Sequence, residues 1–240
     1  MKDKLSCIVK IGTGMLTLAC AAFFVFSISS CGKGNEASPE GLNIEYEVQN
    51  LSPDIFPVSL YINNEAVNSN PFVFGQSQGY FYVPSVTLPY QIRSANNTGF
   101  TFFNFNDVLT PGAKYTLYIT GAVGTNSLDT MLTVDTAVSP RLGQGKLRFV
   151  DASPTSVGGL DVYANGTKAF SAVPYLSASN WVALPVGNYD IQIDAAGTTG
   201  ILNEIQSVTI QDGRLYTIYA YGYTTRTDSA AFTAAVTTNK

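Results

Sequence analysis

The sequence predicts an all-β protein built as two tandem antiparallel β-sandwich domains. Three observations carry this. Short runs alternate apolar and polar residues with period two, as in half-buried strands. The runs are punctuated by Gly, Pro and Asn, and no sustained helical period is visible. The order of these elements recurs at an offset of about 101 residues.

The N-terminal residues stand apart from that pattern. Lys2, Lys4 and Lys10 form a basic segment, and the run from Met15 to Ile28 is almost wholly apolar, as in a secretory signal. Residues 1–30 are therefore read as a signal peptide. It ends at Ile28-Ser29-Ser30-Cys31-Gly32, which resembles the lipobox of bacterial lipoproteins. That resemblance implies that Cys31 becomes the acylated N-terminus. Cys20 is the competing site, but Thr17 precedes it at −3, and the apolar run continues past it through Phe26. The three cysteines are Cys7, Cys20 and Cys31, so the chain after position 31 has no thiol for a disulfide, a nucleophile or a metal. Multiple acyl chains anchor far more firmly than one, which makes the expected protein membrane-attached rather than membrane-spanning.

Gly32 to Gly41 is small and polar, and residues 31–42 read as a lipidated tether. Without Lys2, Lys4, Lys10 and Asp3, the totals of 13 basic and 17 acidic residues fall to 10 and 16, a net charge of −6. No basic cluster is present, so the electrostatic footprint of a nucleic-acid binder is missing. Charged residues make up 12% of the chain, against about 25% in typical soluble domains. Ser, Thr, Asn and Gln do the solvating instead.

The strands follow in order. Ile44, Tyr46 and Val48 alternate with Glu45 and Glu47; Val58, Leu60 and Ile62 alternate with Ser59 and Tyr61. Tyr189, Ile191 and Ile193 alternate with Asp190, Gln192 and Asp194. Between the halves, Ser52-Pro53 matches Ser153-Pro154, Val83-Pro84 matches Leu184-Pro185, and Gln91-Ile92 matches Gln192-Ile193. Tyr115-Thr116-Leu117-Tyr118 matches Tyr216-Thr217-Ile218-Tyr219. This places domain 1 at 43–136, a linker with Pro and Gly at 137–144, and domain 2 at 145–240. Each is expected to hold seven or eight short strands with Ig-like packing, with Tyr115, Tyr216 and Leu184 facing inward.

The second half resembles the bacterial domain-of-unknown-function family 4397. The stretches that carry this are Leu147 to Pro154, Leu160 to Gly166, Leu184 to Tyr189 and Gly213 to Thr217. The first half is a diverged copy, with Asn50-Leu51 in place of Asp151-Ala152. The resemblance implies exported β-sandwich modules, often lipid-anchored or repeated. It brings no activity and no functional residues.

Motif by motif, the chemistry is sparse. Asp151-Ala152-Ser153-Pro154 has the form of an acid–nucleophile pair, but the chain has no histidine to serve as base. An Asx turn accounts for every residue, and Asn50 could make the same turn without a carboxylate. Asp190 and Asp194 are about 13 Å apart along one strand, beyond the roughly 5–9.5 Å of glycosidase pairs. Glu45 and Glu47, about 6.6 Å apart, lie on one strand with no sign of a cleft and read as solvent-facing. Without His or thiols only oxygen ligands remain, and no calcium-loop pattern occurs, so neither a metal site nor a cofactor is expected. The aromatic residues are the one unusual asset. In Tyr216 to Tyr223, inward-facing Tyr216, Ile218, Ala220 and Gly222 send Tyr219, Tyr221 and Tyr223 to the opposite face. That stripe is particular to the second copy. It is either a half-exposed strand face or a rigid aromatic platform for a glycan or protein partner.

These readings point to a non-enzymatic, lipid-anchored envelope protein acting in adhesion, binding or structure. The alternative is an accessory lipoprotein that captures glycans for a neighbouring transporter or enzyme. Gly32 at +2 carries no aspartate-type inner-membrane retention signal. The expected location is the outer membrane, on either its periplasmic or its cell-surface face.

Overall fold

A computed structural model describes residues 42–240. The expected signal peptide, Cys31 and tether residues 31–41 lie outside the described residues. The first eight strands are β1 (Asn43–Asn50), β2 (Val58–Ile62), β3 (Glu65–Ala66), β4 (Phe81–Pro84), β5 (Tyr90–Ser94), β6 (Thr101–Phe105), β7 (Lys114–Thr120) and β8 (Asp129–Val134). Alternation puts Ile44, Tyr46 and Val48 on one face of β1, where they join Leu60, Ile62, Ile92, Tyr115, Leu117 and Ile119 in one core. That core lies between an inner sheet of order β4-β1-β7-β8 and an outer sheet of order β3-β2-β5-β6.

The second half repeats the plan. Its strands are β9 (Gln144–Ala152), β10 (Leu160–Ala164), β11 (Thr167–Val173), β12 (Ser177–Ala178), β13 (Val182–Pro185), β14 (Gly187–Ala195), β15 (Ile201–Ile210), β16 (Leu215–Tyr221) and β17 (Thr233–Thr238). The inner sheet runs β12-β9-β16-β17 with β13 also paired to β9, and the outer sheet runs β11-β10-β14-β15. Every sheet draws its strands from one half alone. The chain is thus all-β in two tandem β-sandwiches.

The register repeats along with the order. Val48 lies opposite Leu117 in the parallel pair β1–β7, and Phe149 lies opposite Ile218 in β9–β16. Ile44 faces Val83, and Gly145 faces Leu184. The Tyr115 hydroxyl accepts the Thr110 N–H at 3.0 Å, and the Tyr216 hydroxyl accepts the Gln211 N–H at 3.1 Å. Both tyrosines are core residues. Leu184 is only half-buried, because it lies on a short strand paired on one side to β9.

Two glycines close the repeat. Gly121 and Gly222 follow β7 and β16 with φ of +80° in each case. A Cβ there would meet the Ser127 carbonyl oxygen at 2.0 Å and the Ala231 carbonyl oxygen at 2.4 Å, so only glycine lets the two backbone segments approach.

The two sandwiches do not stand apart. Leu51, Tyr118, Val150, Ala152 and Tyr219 form a third core, with Met131, Tyr221 and Ala235 packed against it. These residues come from the faces of the two inner sheets that point away from their own cores. The result is four layers, outer–inner–inner–outer, with a seam between the inner pair.

Candidate functional site: the seam and the ends of the sandwiches

Residues at alternate positions of β1, β7, β9 and β16 build the seam. At its centre the rings of Tyr118 and Tyr219 meet at 5.8 Å. They are equivalent residues of the two copies. Tyr221 stacks on Tyr219 at 5.9 Å and takes the edge of Phe74 at 6.0 Å. Thr120 donates from its hydroxyl to the Ala152 carbonyl at 2.5 Å.

Beside the aromatic centre lies a buried polar network. Arg148, 3% exposed, pairs with Asp135, which is fully buried. The guanidinium also donates to Thr217 Oγ1 at 2.9 Å, the Val134 carbonyl at 2.8 Å and Thr133 Oγ1 at 3.1 Å, and it stacks on Trp181 at 4.7 Å. Asp135 accepts from Thr133 Oγ1 at 2.8 Å, Thr116 Oγ1 at 2.6 Å and the Tyr80 hydroxyl at 2.8 Å. Asn239 Nδ2 donates to the same Tyr80 hydroxyl at 2.7 Å. Glu47 is buried in this network as well. Its desolvation pushes its carboxyl above the usual range, against the lowering effect of hydrogen bonds from Ser77 and Gln49.

The seam corrects two expectations. Glu47 is not solvent-facing; it is fully buried beside the seam, in contact with Gln49, Ser77 and Thr116 of its own sandwich. Glu45, at the rim, pairs with Lys114 at 2.6 Å. The tyrosine stripe is not an open platform either. Tyr219 is 5% exposed, and Tyr221 and Tyr223 are half-buried, the Tyr223 hydroxyl being buried with no partner among the described residues. Burial raises the pKa of all three phenols. The outward face of an inner sheet looks like a solvent face in sequence, and only the neighbouring sandwich makes it a core.

The turn after β9 is the Asx turn expected of it. The Ser153 N–H donates to Asp151 Oδ1 at 2.9 Å, and the Ser52 N–H makes the equivalent bond to Asn50 Oδ1 at 3.3 Å. Ser156 Oγ donates to Asp151 Oδ2 at 2.5 Å. Asp151 is fully buried, and desolvation pushes its carboxyl up to about 7 despite the bonds from Ser156 and Ser153. An open hollow of about 470 Å³ lies beside this turn, lined by Pro154, Ser156, Val157, Gly159, Pro174 and Tyr175 among others.

The carboxylate pair weighed in the sequence, Asp190 and Asp194, lies along a single strand, β14. Asp194 instead sits directly opposite Asp161 across β10 and β14, and both are buried. Burial works to raise the Asp161 pKa, but the Lys168 ammonium at 2.6 Å and the N–H groups of Ala172 and Gly197 hold the carboxyl below its usual range. Among the described residues no group of three His, Cys, Asp or Glu side chains is placed to hold a metal ion. No helix among them is long and apolar enough to cross a membrane.

Arg148, Asp135 and Glu47 were not singled out as a group by their sequence pattern. A signal was present. Thr116 and Tyr118 on the outward face are identical in the other copy, as Thr217 and Tyr219, and solvent-facing positions have no reason to hold such identity.

The comparisons agree with this duplicated plan. No curated protein matches the chain. A family model described as Domain of unknown function (DUF4397) matches residues 46–157 and again 155–240. The first match runs from within β1 through β9, and the second begins after β9. Taken together the two segments cover most of the sequence, and the chain belongs to the DUF4397 family as a two-copy member.

Proposed function

We propose that this chain is a non-enzymatic, lipid-anchored protein of the cell envelope, held at the outer membrane through Cys31, whose two sandwiches work as one rigid structural or adhesive body. The observation that carries the reading is the seam. The Arg148–Asp135 pair and the Tyr118–Tyr219 contact lock the two sandwiches face to face, which suits a spacer that presents its outer sheets at a set distance from an anchor. Replacing Cys31 with Ser tests the anchoring. The variant is expected to lose acyl mass and leave the membrane fraction, while protease shaving of intact cells decides which face carries the protein. Acyl mass retained on the Cys31→Ser chain would overturn the anchor.

Glycan capture is the second reading, favoured by one observation. Tyr61 and Gln91 are cross-strand partners in the first outer sheet, and Tyr163 and Gln192 occupy the equivalent places in the second. This pair is kept at half-exposed positions outside core and seam, with Arg93 4.6 Å over the Tyr61 ring and Lys168 5.2 Å over the Tyr163 ring. An aromatic ring beside an amide is a fit surface for a sugar ring and its hydroxyls. Glycan-array binding that disappears in the Tyr61→Ala, Tyr163→Ala double variant would favour capture over the purely structural role.

A further inference from the structure

We propose that Glu47 is a proton-operated clasp of the seam: its Oε2 carries the proton that completes the buried network, and losing that proton loosens the two inner sheets from one another. Asp135 receives four donors, from Arg148, Thr133, Thr116 and Tyr80, which is the environment of an ionised carboxylate. Thr116 and Tyr80 each have one hydroxyl hydrogen, and the shortest acceptor of each is Asp135, at 2.6 and 2.8 Å.

Glu47 is placed differently. Gln49 Nε2 at 2.6 Å and Ser77 Oγ at 2.5 Å both donate to Oε1. The neighbour of Oε2 is Thr116 Oγ1 at 3.5 Å, whose only hydrogen is already directed to Asp135. An ionised Glu47 would therefore set two lone pairs facing each other in a buried site. A proton on Oε2 removes that clash and gives a continuous relay: Glu47 donates to Thr116, Thr116 donates to Asp135, and Asp135 pairs with Arg148 across the seam.

Charge counting agrees. Arg148 balances Asp135, so an ionised Glu47 is one buried negative charge in excess, and burying an unpaired charge is costly. Lys114, over the Tyr80 ring, is paired with Glu45 at 2.6 Å; the other titratable groups around the site are the Tyr80 and Tyr118 phenols from the first sandwich and the Tyr219 phenol from the second. Each is neutral below a raised pKa and offers no compensating positive charge. Desolvation, which raises the Glu47 pKa, acts in the same direction. Proton uptake tightens the seam and proton release relaxes it.

Trp181, the single tryptophan of the chain, stacks on Arg148 and reports on the seam directly. The test follows its emission and the Tm of the full chain from about pH 5 to about pH 9, the range in which buried carboxyls titrate. Three chains are compared: wild type, Glu47→Gln and Asp151→Asn. In wild type, rising pH should shift the emission in a one-proton transition and lower the Tm. Asp151→Asn should keep that emission shift. Glu47→Gln, a fixed mimic of the protonated side chain, should lose it and melt above wild type at the alkaline end. A flat wild-type emission profile, or the same transition in Glu47→Gln, overturns the proposal, as does its loss in Asp151→Asn. Should Glu47→Gln fail to fold, a ¹³C NMR titration of the Glu47 carboxyl in the unaltered chain decides. A shift at the ordinary glutamate pKa rejects the clasp, and one well above it supports the clasp.

Discussion

Tyr118 and Tyr219 are the same residue of the repeat, and their rings meet each other across the seam at 5.8 Å. In an isologous interface a residue near the symmetry axis touches its own copy, whereas a head-to-tail contact joins unlike residues. The two sandwiches are therefore arranged like the subunits of a two-fold dimer that has been fused into one chain. The polar network departs from that symmetry, since Arg148 occupies the place of Glu47.

Removing Arg148 should be among the most damaging single changes. Arg148→Met leaves the Asp135 carboxylate buried without its partner and is expected to cost about 3–5 kcal/mol. The double variant Arg148→Met, Asp135→Val should lose less than the single, because no charge stays stranded. Urea denaturation of the single, the double and the wild type measures the difference, and a double variant less stable than Arg148→Met would refute the stranded-charge account.

Truncating the seam ring tests the burial of the stripe. Tyr219→Ala is expected to lower stability by about 3 kcal/mol, as for other buried aromatic truncations. An exposed platform residue would cost almost nothing by thermal melt.

The equivalence of Tyr115 and Tyr216 predicts equal penalties. Tyr115→Phe and Tyr216→Phe each remove one hydrogen bond to a backbone N–H, worth roughly 0.5–1.5 kcal/mol. Denaturation of both variants should give losses within error of one another.

Asp151 should impose a pH dependence of its own. Its folded pKa, pushed up to about 7, exceeds the ordinary aspartate value of about 3.9. Between those values the folded chain holds a proton that the unfolded chain releases, so stability falls as pH rises through that window and levels off above it. The slope is on the order of 1 kcal/mol per pH unit for one proton. Asp151→Asn, which installs the residue that the first copy has at Asn50, should flatten the Tm profile by that share.

Placing any side chain at Gly222 should strain the end of β16. Gly222→Ala combines a φ of +80° with a Cβ only 2.4 Å from the Ala231 carbonyl oxygen, and it is expected to cost more than about 1 kcal/mol. A neutral melt would mean that the strand end yields freely.

Much of the fold was legible because it is written in local chemistry. Period-two alternation marked β1, β2 and β14, and the repeated Ser-Pro and Tyr-Thr-x-Tyr stretches marked equivalent turns and strands. The Asx turn at Asp151 followed from side-chain reach alone. What alternation cannot say is what covers the second face of a sheet. Glu47 and Tyr219 both lie opposite well-marked core residues, and nothing within their own strands distinguishes a solvent face from a seam. The difference comes from residues about a hundred positions away, such as Tyr118 for Tyr219. The pairing of Asp161 with Asp194 was not legible for a related reason: it depends on cross-strand register, which the sequence does not print.

The fused two-fold also sets a parity. A two-fold contact is saturated by two partners, and within this chain each copy has spent its adhesive face on the other. A third copy added in tandem would arrive with that face unmatched, bare tyrosine and aliphatic surface with no complement left to receive it. Repeats of this design are expected to accumulate by twos, and an odd copy would need either a second chain or a repainted inner sheet.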